Sequence, residues 1–136
     1  MKQKVAIISA LIHNPRLLVL DEPMAGLDPK GREDILTLLE KLRSESNCTI
    51  IMISHSMDDI AKHATKVLVL EQGAIALLDT PQNVFSHAEL LESFGLSVPS
   101  VTKLCVEMNR RGISIPTTIC TREAFLNWFK EGKHHA

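Results

Sequence analysis

The sequence predicts an α/β domain built on a parallel sheet with an edge hairpin, followed by a small helical extension. Leu17–Leu20 and Thr49–Ile53 are short, unbroken apolar runs, the pattern of strands covered on both faces of a parallel sheet. Between them lies a one-sided apolar stripe at helical spacing, and strand–helix–strand order implies a crossover connection and parallel pairing. Two further apolar segments, at 67–70 and 74–78, meet across Glu71-Gln72-Gly73, which reads as a hairpin with a glycine turn.

The elements follow in order. From Met1 to about His13, Val5, Ile8 and Ile12 recur at helical spacing, and Ala6, Ile7, Ala10 and Leu11 add apolar side chains on other faces, so this helix is expected to be well buried. Asn14-Pro15 stops it. The first strand ends in Asp21-Glu22-Pro23. Asp28 is placed to cap the next helix, with Pro29 at its first position, and Ile35, Leu38, Leu39 and Leu42 form the apolar stripe. The second strand ends at Ser54-His55. Ser56 to Asp59 fits a capping box that opens a short helix to about His63. After the hairpin, Thr80-Pro81 starts another helix, running to about Phe85. Beyond Leu91, Gly95, Pro99, Gly112 and Pro116 punctuate a helical segment carrying Val101, Leu104, Cys105 and Met108. A last amphipathic stretch carries Phe125, Trp128 and Phe129, and the tail from Lys133 to Ala136 is expected to fray.

Composition narrows the function. With 136 residues, 45% of them apolar, the chain is long enough for a real core. The formal net charge is −1 with signs interspersed, which gives no electrostatic footprint for nucleic acid as the main partner. Cys48, Cys105 and Cys120 show no Cys-x-x-Cys spacing and read as a reduced, cytosolic set of thiols. No apolar run approaches the roughly 20 residues that a membrane-spanning helix needs, and the start does not read as a signal peptide. Any membrane link is therefore expected to run through a partner.

In parallel sheets, ligands sit beyond the carboxyl ends of the strands, and two of these ends carry chemically able residues: Asp21-Glu22 and His55. A carboxylate delivered to the sheet edge at Asp21 can hold Mg²⁺ through water, and Glu22 is placed to orient and deprotonate an attacking water. An acidic pair can also simply end a strand, a histidine after a strand is often a capping or packing group, and Asp28 has a sufficient job as a helix cap.

Leu-Leu-Val-Leu-Asp-Glu-Pro, then Ala-Gly-Leu-Asp-Pro, then Ile-Ser-His resembles the ordered Walker B strand, D-loop and switch histidine of the ABC-type ATPases, and Met1 to Ile7 looks like the helix that follows that family's Leu-Ser-Gly-Gly-Gln signature. The resemblance implies a P-loop NTPase fold, of which this would be the carboxy-terminal part. It implies ATP and Mg²⁺ as cofactors. Asp21 would serve the metal, Glu22 would be the catalytic base, and His55 would contact the γ-phosphate and the attacking water. Asp28 would communicate across a dimer of two nucleotide-binding domains. Met24 departs from the small hydroxyl residue common at that position. A phosphate loop needs Gly-x-x-x-x-Gly-Lys followed by Ser or Thr, and Gly26 and Gly31 have the spacing but are followed by Arg32-Glu33. Walker A, Q-loop and signature are thus not found, the chain is expected to begin just after the signature, and alone it is expected to be inactive.

Gly26 to Arg32, His55 to Ala61 and Thr80 to Phe85 further resemble the ATPase subunits of energy-coupling-factor (ECF) transporters, the cobalt and vitamin importers. This divides the chain into 1–91, the ATPase portion, and 92–136, a small helical extension. It implies a second ATPase subunit, a membrane coupling subunit and a substrate-binding membrane subunit as partners, with the chain peripheral on the cytoplasmic face of the membrane and no nucleic acid bound. The aromatic stripe of the extension is expected at the ATPase–ATPase interface, although both stripes can also pack on the chain's own domain. A non-catalytic association module, or a piece of another ABC ATPase, is the competing reading.

Overall fold

The computed structural model describes residues 2–132, with side chains from residue 5 onward. Met1 and the tail expected to fray, 133–136, lie outside the described residues. The chain gathers into two compact units, 1–55 and 56–136.

In the first unit, helix α1 (Lys2–Leu11) is followed by strand β1 (Leu17–Asp21), helix α2 (Pro29–Glu45) and strand β2 (Thr49–Ile53). The strands pair in parallel, Leu17 against Thr49 through Asp21 against Ile53, so they end level with each other. Asp28 is the N-cap of α2: its Oδ1 accepts the Gly31 N–H at 3.0 Å, and Pro29 holds the first helical position. Gly31 is there for space, because a Cβ would come 2.7 Å from that same oxygen. Ile35, Leu36 and Leu39 of α2 close onto Ile7, Leu18, Met24 and Cys48, with Leu20, Ile50 and Met52 packed alongside.

Two burial expectations are corrected. Leu18, Leu20, Ile50 and Met52 point into this cluster, but the alternate residues Leu17, Val19, Ile51 and Ile53 are 49–57% exposed. Side chains alternate between faces along a strand, and the described residues supply cover for one face only. Helix α1 likewise buries Ile7 while Val5 and Ile8, and Ile12 just past its end, stay exposed.

The second unit begins with helix α3 (Met57–His63), where Ser56 occupies the N-cap position without a side-chain cap hydrogen bond. The Ser56 hydroxyl arm of the expected box is therefore not made. Strands β3 (Val67–Glu71) and β4 (Ala74–Asp79) form the antiparallel hairpin. Its two turn residues, Gln72 and Gly73, have φ of 49° and 79°, the paired positive values of a type I′ turn that matches strand twist. Helices α4 (Pro81–Ser86), α5 (Ala88–Ser93), α6 (Ser100–Arg110) and α7 (Arg122–Gly132) follow. Thr80 caps α4 through Asn83 N–H, and the adjacent Asp79 carboxylate takes the Thr80 N–H at 2.7 Å and Asn83 Nδ2 at 3.1 Å, which hold its pKa below the ordinary 3.8.

One cluster draws Ala61, Val69, Val84, Phe85, Ala88, Leu91, Val98 and Cys120 together. A second holds Cys105, Ile115 and Ile119, with Val101, Met108, Phe125 and Trp128 against it. Phe125 and Trp128 thus pack on the chain's own residues, while Leu126 and Phe129 remain 41% and 47% exposed.

Candidate functional site

Parallel register brings the candidate residues to one edge. The β1–β2 ladder ends at Asp21 against Ile53, and the next backbone hydrogen bond, Glu22 N–H to Ile53 carbonyl at 2.9 Å, carries the pairing one residue further. Asp21 therefore leaves the strand with an exposed carboxylate, and Glu22 begins the turn toward Pro23. Glu22 adopts φ of +45°, in the left-handed region that a bulky side chain occupies only when its surroundings hold it there. The Ala25 N–H to Glu22 carbonyl bond at 3.0 Å closes the turn, and buried Pro23 and Met24 anchor it. Met24 thus has a packing role: at 6% exposure it belongs to the α2–β1 cluster.

His55 leaves β2 two residues beyond Ile53, and its Nδ1 lies 2.8 Å from Glu22 Oε2. An ionised carboxylate only accepts, so Nδ1 carries the hydrogen and Nε2 points its chemistry elsewhere. The imidazole is 81% exposed and the Glu22 carboxyl 35%, so the contact is open to solvent on the histidine side. A contact this exposed adds little stability. Its interest is geometric: residues 33 apart in sequence, each just past a strand end, meet side chain to side chain.

Asp28 is placed differently. Its carboxylate is engaged in capping α2, on the segment that follows the Glu22 turn. The structure therefore brings Glu22 and His55 into contact, sets Asp21 beside them in sequence at the strand end, and gives Asp28 a local partner.

Among the described residues no group of three or more His, Cys, Asp or Glu is arranged to hold a metal ion. Mg²⁺ keeps several waters and is bound by one or two carboxylates together with substrate phosphates, and the exposed Asp21 carboxylate is a donor of that kind. For a triphosphate, these 136 residues offer no loop of the Gly-x-x-x-x-Gly-Lys type. No described helix is long and apolar enough to cross a membrane.

Two features of this neighbourhood were not legible in the sequence. The strained backbone at Glu22 leaves no mark in a sequence, since glutamate has no preference for positive φ. Met24 stood out in the sequence only as a departure from the small hydroxyl residue common at that position, and its packing against the α2–β1 cluster was not foreseen.

Comparison with known proteins follows the same lines. Residues 1–58 match the family described as "AAA domain, putative AbiEii toxin, Type IV TA system". The chain is 45% identical over 122 residues to the energy-coupling factor transporter ATP-binding protein EcfA2 of Caldanaerobacter subterraneus, covering 90% of this chain and 43% of that protein. To the protein of the same name from Clostridium perfringens it is 48% identical over 120 residues, covering 88% and 42%. Among solved structures it is similar to cbiO1 from Clostridium perfringens, part of the ABC transporter complex cbiONQ, with a TM-score of 0.56, 33% identity, and coverage of 79% of this chain and 39% of that one. It also matches an ATP-binding cassette of an ABC transporter with a TM-score of 0.58 and 29% identity, over 66% of this chain and 37% of the other. The chain spans less than half the length of each of these relatives.

Proposed function

We propose, starting from a chain that belongs to the ABC transporter ATPases as their carboxy-terminal part and is similar to the ATPase subunits of ECF transporters, that it supplies the hydrolytic edge of a subunit driving import. The Glu22–His55 contact at the level ends of two parallel strands is the observation that carries this reading. Hydrolysis of ATP needs a water held in line with the γ-phosphorus and a carboxylate to take its proton. Glu22, fixed by a strained turn, is the base. His55 steers the Glu22 carboxylate through Nδ1 and leaves Nε2 for the γ-phosphate and the attacking water. Asp21 is the residue that would hold Mg²⁺, which when bound neutralises charge on the phosphate oxygens. The phosphates themselves would be held by parts of the subunit outside these 136 residues.

On this reading the subunit pairs with a second ATPase subunit, with Asp28 on the loop that communicates between them. It sits peripherally on the cytoplasmic face of the membrane against coupling and substrate-binding subunits, and supports uptake of a vitamin or transition metal. Residues 92–136 act as an appended helical segment serving association, for which exposed Leu126 and Phe129 offer apolar surface.

The test uses the full-length subunit. Glu22→Gln keeps the side chain's shape but accepts no proton, so it should bind ATP and fail to turn it over. His55→Ala should lower kcat by about 10²–10⁴-fold, the range of a lost acid–base partner, while nucleotide affinity changes little. Hydrolysis at the parental rate by either variant removes that residue from the mechanism.

A further inference from the structure

A groove opens in the second unit where the start of α5 meets the last turns of α6. Its volume of about 570 Å³ falls inside the roughly 300–1,000 Å³ common for small-molecule sites. Ala88, Leu90 and Val106 give it apolar walls. Those walls are held from behind, because Ala88 and Leu91 of α5 and Cys105 of α6 are buried. Asn109, also in the lining, is spent on its own backbone. Its Nδ2 donates to the Cys105 and Ile115 carbonyls, both at 2.9 Å, and its Oδ1 accepts the Ile115 N–H at 3.1 Å. This fixes the chain two residues before Thr117, which lines the same groove. The Ser86 hydroxyl likewise donates to the Asn83 carbonyl at 2.7 Å. The walls are thus set before any ligand arrives, which keeps the ordering cost of binding low.

The charged part of the lining is open to a ligand. Glu107 takes Arg111, Nε to Oε1 at 2.8 Å, and among the described residues no hydrogen bond or ion pair occupies the guanidinium of its neighbour Arg110 or the carboxylate of Glu89. A cation and an anion therefore line one groove without joining each other. Opposite charges held apart over apolar walls match a molecule that carries both charges and an apolar body. We propose that this groove binds a small zwitterion of that kind, the chemistry of a free apolar amino acid. Its carboxylate takes the forked guanidinium of Arg110, its ammonium takes Glu89, and its side chain covers Leu90, which stands 41% exposed, and Val106. His87 and Thr117 add hydrogen-bonding groups to the lining. None of these residues belongs to the hydrolytic reading of Glu22 and His55, so the two stand or fall separately.

The experiment uses the full-length subunit without nucleotide. It reads calorimetric titration together with the methyl NMR resonances of Leu90 and Val106, assigned by their loss in Leu90→Ile and Val106→Ile. With L-leucine as the probe, saturable binding at millimolar concentration is expected, and both sets of resonances should shift. Isoamylamine lacks the carboxylate and isocaproate lacks the ammonium. Each should bind at least about tenfold more weakly than leucine, since a hydrogen bond to a charged group is worth that much or more. Arg110→Ala should weaken leucine by about the same factor and leave isoamylamine unchanged. Glu89→Gln should weaken leucine and leave isocaproate no worse bound. Arg111→Ala, whose guanidinium belongs to Glu107, should change nothing. Arg110 and Glu89 are both exposed, so their variants should fold, and the two analogues test the same pairing on the unaltered subunit. The proposal is overturned by an absence of saturable leucine binding, by binding that leaves the Leu90 and Val106 resonances unmoved, by equal affinity for leucine and both analogues, or by unchanged leucine affinity in Arg110→Ala.

Discussion

Asp28 has two candidate employments, helix cap and interface carboxylate, and a pair of substitutions separates them. Removing the carboxylate as Asp28→Ala leaves the Gly31 N–H without its 3.0 Å acceptor, and a lost N-cap of this kind costs about 1 kcal/mol. Gly31→Ala should by itself gain about 0.5–1 kcal/mol from helix propensity. Yet its new Cβ would stand 2.7 Å from Asp28 Oδ1, so the carboxylate must swing off and the cap is lost as the propensity is gained. The single substitution is thus expected near zero. In the Asp28→Ala background there is nothing to displace, and Gly31→Ala should deliver its full gain. The cycle therefore predicts a coupling of about 1 kcal/mol. Urea denaturation reads this as a shift of roughly 0.5 M in midpoint for a slope of about 2 kcal/mol/M. Equal stabilisation by Gly31→Ala in both backgrounds would refute the reasoning. Asp28→Asn keeps the cap, because asparagine is as good an N-cap as aspartate, so any change it makes in turnover reports what the charge does beyond its own helix.

Cys105 and Cys120 are 1% and 2% exposed, and burial raises both thiols above the ordinary 9.0. Iodoacetamide should label them at least about a hundredfold more slowly in the native subunit than in urea, since reaction waits on an opening that costs several kcal/mol. Because the folded thiols hold their protons longer than the unfolded ones, stability is intact below pH 9 and should fall as pH rises beyond it, which a series of urea midpoints can check. Trp128→Ala should lower subunit stability by about 1.5–2 kcal/mol, less than the 3–5 of a fully buried aromatic, because the ring packs on the Cys105, Ile115 and Ile119 cluster. Phe129→Ala should leave the urea midpoint within about 0.3 M and weaken dimerisation in ATP-free buffer by sedimentation analysis; unchanged association would end the interface role of this face. The isolated 136-residue chain should show no saturable ATP turnover, because phosphoryl transfer depends on positioning the triphosphate; turnover abolished by Glu22→Gln would contradict this.

The local signals were legible in the sequence. Apolar runs set both parallel strands, the stripe from Ile35 to Leu42 set α2, and Asp28-Pro29 set its start, because each depends on neighbours within a turn or two. The meeting of Glu22 and His55 was also within reach, since parallel strands that end level must bring their following residues together. What escaped depended on distant cover or distant partners. Nothing in Leu17 or Val19 says whether a second layer lies over them. Nothing in Ser56 says that its cap hydrogen bond goes unmade, and no periodicity foretells the hydrogen bond from the Ser100 N–H to Asp58 across 42 residues. Helix α5 was missed because His87 sits at the joint between it and α4, and six residues are too few to show a period.

The open face of the β1–β2 pair has a practical consequence for anyone handling this chain by itself. Leu17, Val19, Ile51 and Ile53 form an oily strip on two adjacent strands, roughly 4.8 Å apart. A net charge of −1 gives such a molecule almost no colloidal repulsion at neutral pH. Kosmotropic salts such as sulfate strengthen apolar contact and so should drive it out of solution, and light scattering should climb with concentration. Arg or Glu in place of Val19 and Ile51 should keep it dispersed.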